Sequence, residues 1–312
     1  MTPARTGLDM APDIRSRPSI DHADVVALNF VRSSPPFLFR RHFRQGLRSH
    51  IMEILKISDV DVERRGRIVD GVRQFPRAAP CRMFRIFRSH LGTLESALEE
   101  TARVKLVERY LAPDFMARST ECIVDYLGPA GRDLVLCGFQ EYVPGEILDP
   151  WTILDAPELL STLYHTISQR KECPGVSEKR WIETIRRRGI DFVGRIKQMI
   201  TEAGHIPDLA GAGNLIVTAG GKIRLVDINN ISPVAIDASI RLDEKGYPVG
   251  DKSVEALSLI EEKLFNRPVD LGEPLYRHFL DPKRQKRVRA EELRFRETIK
   301  TWKNNRQPSQ SH

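Results

Sequence analysis

The sequence predicts an α+β chain, a smaller strand-rich unit carrying one helix followed by a larger, mainly helical unit. Three observations predict it. Short β-rich runs bounded by Gly and Pro crowd residues 66–88 and 119–143, with one run of good helix formers between them. Beyond Pro144 the apolar residues recur at helical spacing over long stretches. Strands are thus collected early and helices late, which is the α+β pattern and not the alternating βαβ one. A chain of 312 residues can bury a sizeable core in one large or two modest domains.

Taken in order, residues 1–36 contain Pro and charge with weak periodicity and read as an N-terminal arm. Residues 37–57 read as a helix, because Phe43, Leu47, Ile51 and Leu55 are spaced by four. "GRIVDGVRQFP" and "CRMFRIFRS" read as two strands split by "RAAP", the second alternating Met83, Arg85 and Phe87 against Phe84 and Ile86. Thr93 starts a helix through "LESALEETARVKLVERYL". "STECIVDYL" and "RDLVLCGFQEYV" read as strands joined by the turn "GPAGR". Helices follow near 157–170 and 178–202, the second aligning Trp181, Ile185, Phe192, Ile196 and Ile200. An apolar hairpin, "LIVT" and "IRLV" around "AGGK", precedes a further stretch read as helical. The boundaries expected are therefore 1–36 for the arm, 37–143 for the small unit with its preceding helix, 144–282 for the helical unit and 283–312 for a basic tail.

Composition narrows the class. Hydrophobic residues make up 41% and charged residues 29%, a soluble globular balance. There is no apolar run of about 18 residues to span a membrane, and the first residues lack the apolar core of a secretory leader. The four cysteines are far apart without Cys-x-x-Cys, which fits a reducing cytoplasm. The eight histidines form no metal-ligand spacing, so a zinc enzyme is not expected. The net charge is +7, and Lys283–Arg306 alone holds ten Lys and Arg against three Glu. In that tail Val288, Phe295, Ile299 and Trp302 fall at helical spacing, so one face docks and the other is basic. An acidic partner or an anionic surface, RNA or lipid headgroups included, could use that face. A second basic cluster, Arg40, Arg41, Arg44 and Arg48, is interleaved with Phe37, Phe39 and Phe43.

The hairpin carries the chemistry. A two-residue turn at Gly220 and Gly221 would set Asn214 opposite Asp227, with Cβ atoms roughly 4.5–5.5 Å apart. An amide oxygen beside a carboxylate suits Mg²⁺, although Asn and Asp also flank turns for purely local reasons. Six residues before Asn214, the Gly-rich loop "HIPDLAGAGN" carries Asp208, an acid where glycine permits close approach to a ligand.

"PDLAGAGNLIV" followed by "KIRLVDIN" resembles the catalytic loop and metal-binding strand of the protein-kinase-like phosphotransferase superfamily. The resemblance covers roughly residues 66–235 and implies a two-lobe fold, a small β-rich lobe and a larger helical one. It implies that Asp208 orients and deprotonates an acceptor hydroxyl, and that Asn214 and Asp227 hold Mg²⁺ against the phosphates of ATP. It implies that Arg85, in "RMFRIF", contacts those phosphates, braced by Glu99 or alternatively by Glu100 or Glu95. "GFQEYVPGEIL" resembles the hinge, offering backbone groups of Glu141 and Val143 to adenine. The chain departs from the family in several places. No Gly-x-Gly-x-x-Gly precedes Arg85, Arg replaces the usual Lys, Asp-Ile-Asn replaces Asp-Phe-Gly and no Ala-Pro-Glu follows Asp227. The expected activity is phosphoryl transfer from ATP to a small hydroxylated molecule, sugar or lipid headgroup ahead of a protein. A pseudokinase, a binding module of that shape without transfer, stays open beside it.

Overall fold

The structure is a computed structural model that describes residues 12–32, 35–46, 48–169, 175–243 and 246–304, with side chains to 297 in the last segment. Leu47, Cys173 and the side chains of Ile299 and Trp302 lie outside the described residues. The chain is α+β, and it divides into two compact units: residues 1–102 with 118–142, and residues 103–117 with 143–312. Among the described residues, no helix is long and apolar enough to cross a membrane.

The first unit contains α1 (His22–Val26), β1 (Phe37–Arg41), β2 (Ser49–Lys56), α2 (Ile57–Arg65), β3 (Arg67–Val69), β4 (Val72–Gln74) and β5 (Arg82–Phe87). Residues 94–102 of α3 (Leu94–Leu111) follow, then β6 (Ser119–Gly128) and β7 (Gly131–Glu141). Five strands make one antiparallel sheet in the order β1-β2-β5-β7-β6.

Residues 37–57 are thus two strands, not the expected helix. The cause is burial on both faces of β2, where Ser49, His50, Met52, Glu53, Ile54 and Leu55 are all buried. A strand covered on both sides loses its apolar–polar alternation, and a spacing of four then imitates a helix. The buried Glu53 is held by Arg40 at 2.7 Å, His42 at 2.8 Å and Arg77 at 3.2 Å. "GRIVDGVRQ" is not one strand but the β3–β4 hairpin, turning through Asp70 and Gly71 at φ 50° and 76°. The described part of the supposed arm is core: Ile14, Ile20, Val25 and Leu28 pack with Phe39, Met52, Phe84 and Ile86. A capping box between Asp21 and Asp24 starts α1. The β6–β7 hairpin and the helix begun at Thr93, whose Oγ1 accepts from the Ser96 amide at 3.2 Å, are as the sequence reads.

The second unit contains residues 103–111 of α3, β8 (Glu146–Ile147), α4 (Ala156–Ser168), α5 (Glu178–Ala203), β9 (His205–Pro207), β10 (Leu215–Val217), β11 (Ile223–Leu225) and β12 (Ile231–Pro233). It ends with α6 (Val249–Phe265), α7 (Pro274–Phe279) and α8 (Pro282–Asn304). Trp181, Ile185, Phe192 and Ile196 of α5 are buried against Leu160 of α4 and Leu257, Ile260 and Leu264 of α6. Each such side chain contributes roughly 1.5–3 kcal/mol of transfer free energy. Gly189 lets α5 and α6 approach, since a Cβ there would lie 2.6 Å from Leu264 Cδ1. Two small sheets, β11-β10-β8 and β12-β9, carry the loops of interest.

The basic tail docks in cis as α8. Val288 is fully buried, and the Phe295 and Tyr247 rings lie 5.0 Å apart. Arg284 is buried and donates twice to Asp251, at 2.6 and 3.0 Å, and to the carbonyls of Asp237 and Ser239, both at 2.8 Å. Arg294 and Arg296 pair with Glu291 and Glu292 on the same helix. In the other basic cluster Arg40 pairs with Glu53 and Glu63, and Arg48 lies 3.5 Å from Glu100.

Candidate functional site

The site builds from the end of α5. Gly204 caps that helix in the left-handed region, φ 61°, and releases the chain into β9, which pairs with β12. The pairing runs on one residue further, because the Asp208 amide donates to the Asn230 carbonyl at 2.8 Å. This places Asp208 at the start of the Gly-rich loop with its carboxylate turned inward, only 8% exposed. One carboxylate oxygen accepts from the amides of Ala210 (2.9 Å) and Gly211 (3.1 Å), and the other accepts from Asn230 Nδ2 at 3.0 Å.

Asn214 closes the loop on itself. Its Nδ2 donates to the Asp208 carbonyl at 2.9 Å, so Oδ1 is the end of the amide left to face outward chemistry as an acceptor. Gly211 makes this possible: a Cβ there would lie 2.4 Å from Asn214 Nδ2. Two further props hold the loop. The Leu209 amide donates to Ser253 Oγ at 3.2 Å, and Trp151 Nε1 donates to the Ala210 carbonyl at 2.8 Å. Lys252 lies over the Trp151 ring, 4.3 Å from its centroid.

The hairpin differs from the expected one by a single position. Leu215 pairs with Leu225 and Val217 with Ile223, so the loop is Ala219–Gly220–Gly221, with Gly221 at φ 68°. A three-residue loop with a left-handed third residue takes the place of the two-residue turn. Asn214 consequently faces Val226, whose amide donates to the Asn214 carbonyl at 2.8 Å, and Asp227 is the next residue along. Asp227 is half-buried and close enough to Asp208 for its charge to matter. Burial, and then the Asp227 carboxylate, push the Asp208 carboxyl up to about 6, against the opposing hydrogen bonds from Gly211, Ala210 and Asn230.

Asp208, Asn214 and Asp227 thus come together in the second unit, supplying two carboxylates and an amide oxygen. Among the described residues no group of three or more His, Cys, Asp or Glu is arranged for a metal. An all-oxygen set with two acids fits Mg²⁺, which needs one or two carboxylates and fills its shell with water and phosphate, and does not fit zinc.

The other expected residues, all in the first unit except Val143, behave differently. Arg85 on β5 and Glu121 on β6 both lie beside Gly138 of the intervening β7, and their charged ends are 3.7 Å apart over that glycine. Both side chains are almost fully buried, at 4% and 3% exposure. Glu121, not Glu99, is the carboxylate facing Arg85. Glu99 and Glu95 are on the exposed side of α3, and Glu100 faces Arg48. Glu141 ends β7 with its amide donating to the Arg118 carbonyl at 2.8 Å, so that N–H is not available to a ligand. Val143 is half-buried in the segment leading to β8.

Sequence reasoning missed Asn230, Ser253, Trp151 and Glu121. Asn230 had a local signal, the polar run Asp-Ile-Asn-Asn directly after an apolar strand. The others are brought in by tertiary packing and leave no local trace. Neither protein-family models nor curated proteins give a match to this chain.

Proposed function

We propose that this protein is an ATP- and Mg²⁺-dependent phosphotransferase of divergent protein-kinase-like type, acting on the hydroxyl of a small molecule. The observation that carries this reading is the convergence of Asp208, Asn214 and Asp227 at a loop in which the Asp208 carboxylate and the Asn214 Nδ2 are both held by hydrogen bonds. Two carboxylates near one another, one of them with its pKa raised, are a costly arrangement without a cation or a proton to share.

In this reading Asn214 Oδ1 and Asp227 hold Mg²⁺, which when bound neutralises phosphate charge during transfer. Asp208 accepts the proton of the acceptor hydroxyl. A carboxyl near 6 is ionised at neutral pH yet basic enough to take that proton as the bond to phosphorus forms. The amides of Ala210 and Gly211 and the Asn230 side chain fix its orientation, so the chain's own contribution is positioning and charge. The absence from the sequence of Ala-Pro-Glu after Asp227 favours a small acceptor over a protein.

One observation favours the second reading, a kinase-shaped binding module without transfer. Arg85 is buried against Glu121 and is not presented as an exposed phosphate-binding cation. Calorimetric titration of ATP, with and without Mg²⁺, on the wild type and on Asp227→Ala tests the metal–nucleotide site, and ADP release with hydroxylated acceptors, absent in Asp208→Ala, separates transfer from binding alone. Mg²⁺-dependent binding lost in the variant is the expected result. No binding to a folded wild type would overturn both the metal site and the transfer.

A further inference from the structure

A second place in the same unit gathers positive charge. The segment around Ile236, α7 and the first turns of α8 line an open concavity of about 450 Å³, within the size range of small-molecule sites. Its rim carries Arg277, Lys283, Arg284 and Arg287, with Asp281 the sole acid among the lining residues. Asp281 is already engaged: one of its carboxylate oxygens accepts from the amides of Lys283 and Arg284, both at 3.0 Å, and so caps α8. Arg284 is likewise committed to Asp251. Arg277, Lys283 and Arg287 have no carboxylate partner among the described residues. The Nε2 atom of His278, which also lines the cavity, is buried with no hydrogen-bond partner among them.

Arg277, Lys283 and Arg287 give this concavity a local excess of positive charge, with the unpartnered His278 ring nitrogen among its lining. Lys283 and Arg287 lie one turn apart on α8, and both line the concavity with Arg277. Two guanidinium forks and an ammonium match the oxygens of a phosphate group, which guanidinium groups grip in pairs. Ile236 and Pro274 supply an apolar wall for whatever the phosphate is attached to.

We infer that this cavity is a binding site for a small phosphate-bearing anion, separate from the Asp208 site. It does not rest on the proposed transfer activity, since none of its residues takes part there. The test is calorimetric titration of the full chain with inorganic pyrophosphate and with inorganic phosphate in the absence of Mg²⁺. The variants are Arg277→Ala, Arg287→Ala and, as a control, Lys286→Ala on the same helix but outside the lining. Saturable binding of one equivalent is expected, weakened at least about tenfold by either arginine variant, unchanged by Lys286→Ala, and weaker in added salt. Binding that survives in Asp227→Ala would keep this site distinct from the metal–nucleotide one. Absence of binding to both anions overturns the inference. So does an equal loss in all three lysine and arginine variants, which would mean a diffuse basic field.

Discussion

Asp208 is a residue whose chemistry opposes its own stability. Its folded pKa is raised from 3.8 to about 6, so between those values the folded state holds a proton that the unfolded chain has released. Stability therefore falls as pH rises through that window, and the loss is complete above about 6. The upper bound on that penalty is on the order of 2–3 kcal/mol, from about 1.4 kcal/mol per pKa unit. Asp208→Asn removes the charge while keeping an acceptor for the Ala210 and Gly211 amides. Thermal unfolding at pH 4, 6 and 8 should show the variant more stable than wild type at pH 8, with the advantage gone at pH 4. A wild type at least as stable at pH 8 would mean that no charge strain is stored there. The carboxylate itself was legible as a candidate because an acid stands out in a Gly-rich loop, although it also ties that loop through the Ala210 and Gly211 amides. What raises its pKa was not legible, since it depends on burial and on how near the hairpin brings Asp227.

At the scale of elements, amphipathic helices were the most legible feature, because one buried stripe at helical spacing survives in the sequence. Trp181, Ile185, Phe192 and Ile196 of α5 all lie where that stripe requires. Strands buried on both faces were the least legible: β2 hides His50 and Glu53 among apolar residues, and only their tertiary partners explain them. The β10–β11 hairpin lies between, read in type but displaced by one pair, because Gly-Gly serves a three-residue loop as readily as a two-residue turn. The displacement still leaves Asn214 beside Asp208, because its amide reaches the Asp208 carbonyl from the loop side. Gly211 governs that reach by space alone, its φ being unexceptional. Gly211→Ala should therefore displace the Asn214 amide at a stability cost of about 1 kcal/mol and weaken Mg²⁺-dependent ATP binding about tenfold or more. Calorimetry alongside thermal unfolding checks it. A large loss of stability with unchanged affinity would make the loop a scaffold only.

Across the whole molecule, the residues that complete a unit are often remote in sequence. The first unit needs β6 and β7, beyond the α3 residues that belong to the second. The second needs Arg284 to neutralise Asp251, which is 3% exposed at the first turn of α6. The next two residues, Lys252 and Ser253, reach Trp151 and the Leu209 amide, so one helical turn joins α8 to the Asp208 loop. Arg284→Ala leaves a buried carboxylate with its partner gone, at an expected cost of about 3 kcal/mol or more. Urea unfolding should show a lowered midpoint at pH 7 that recovers in the double variant Asp251→Asn, Arg284→Ala. A single variant as stable as wild type would mean that α8 is a removable appendage.

The ion pair between α6 and α8 also sets an order on the ribosome. A nascent chain that has emerged as far as Glu141 carries every strand of the five-stranded sheet. The carboxylate of Asp251, by contrast, must wait hydrated until the translating ribosome has released Arg284. On that order the unit holding the Asp208 loop should stay open to protease in nascent chains that stop before Arg284.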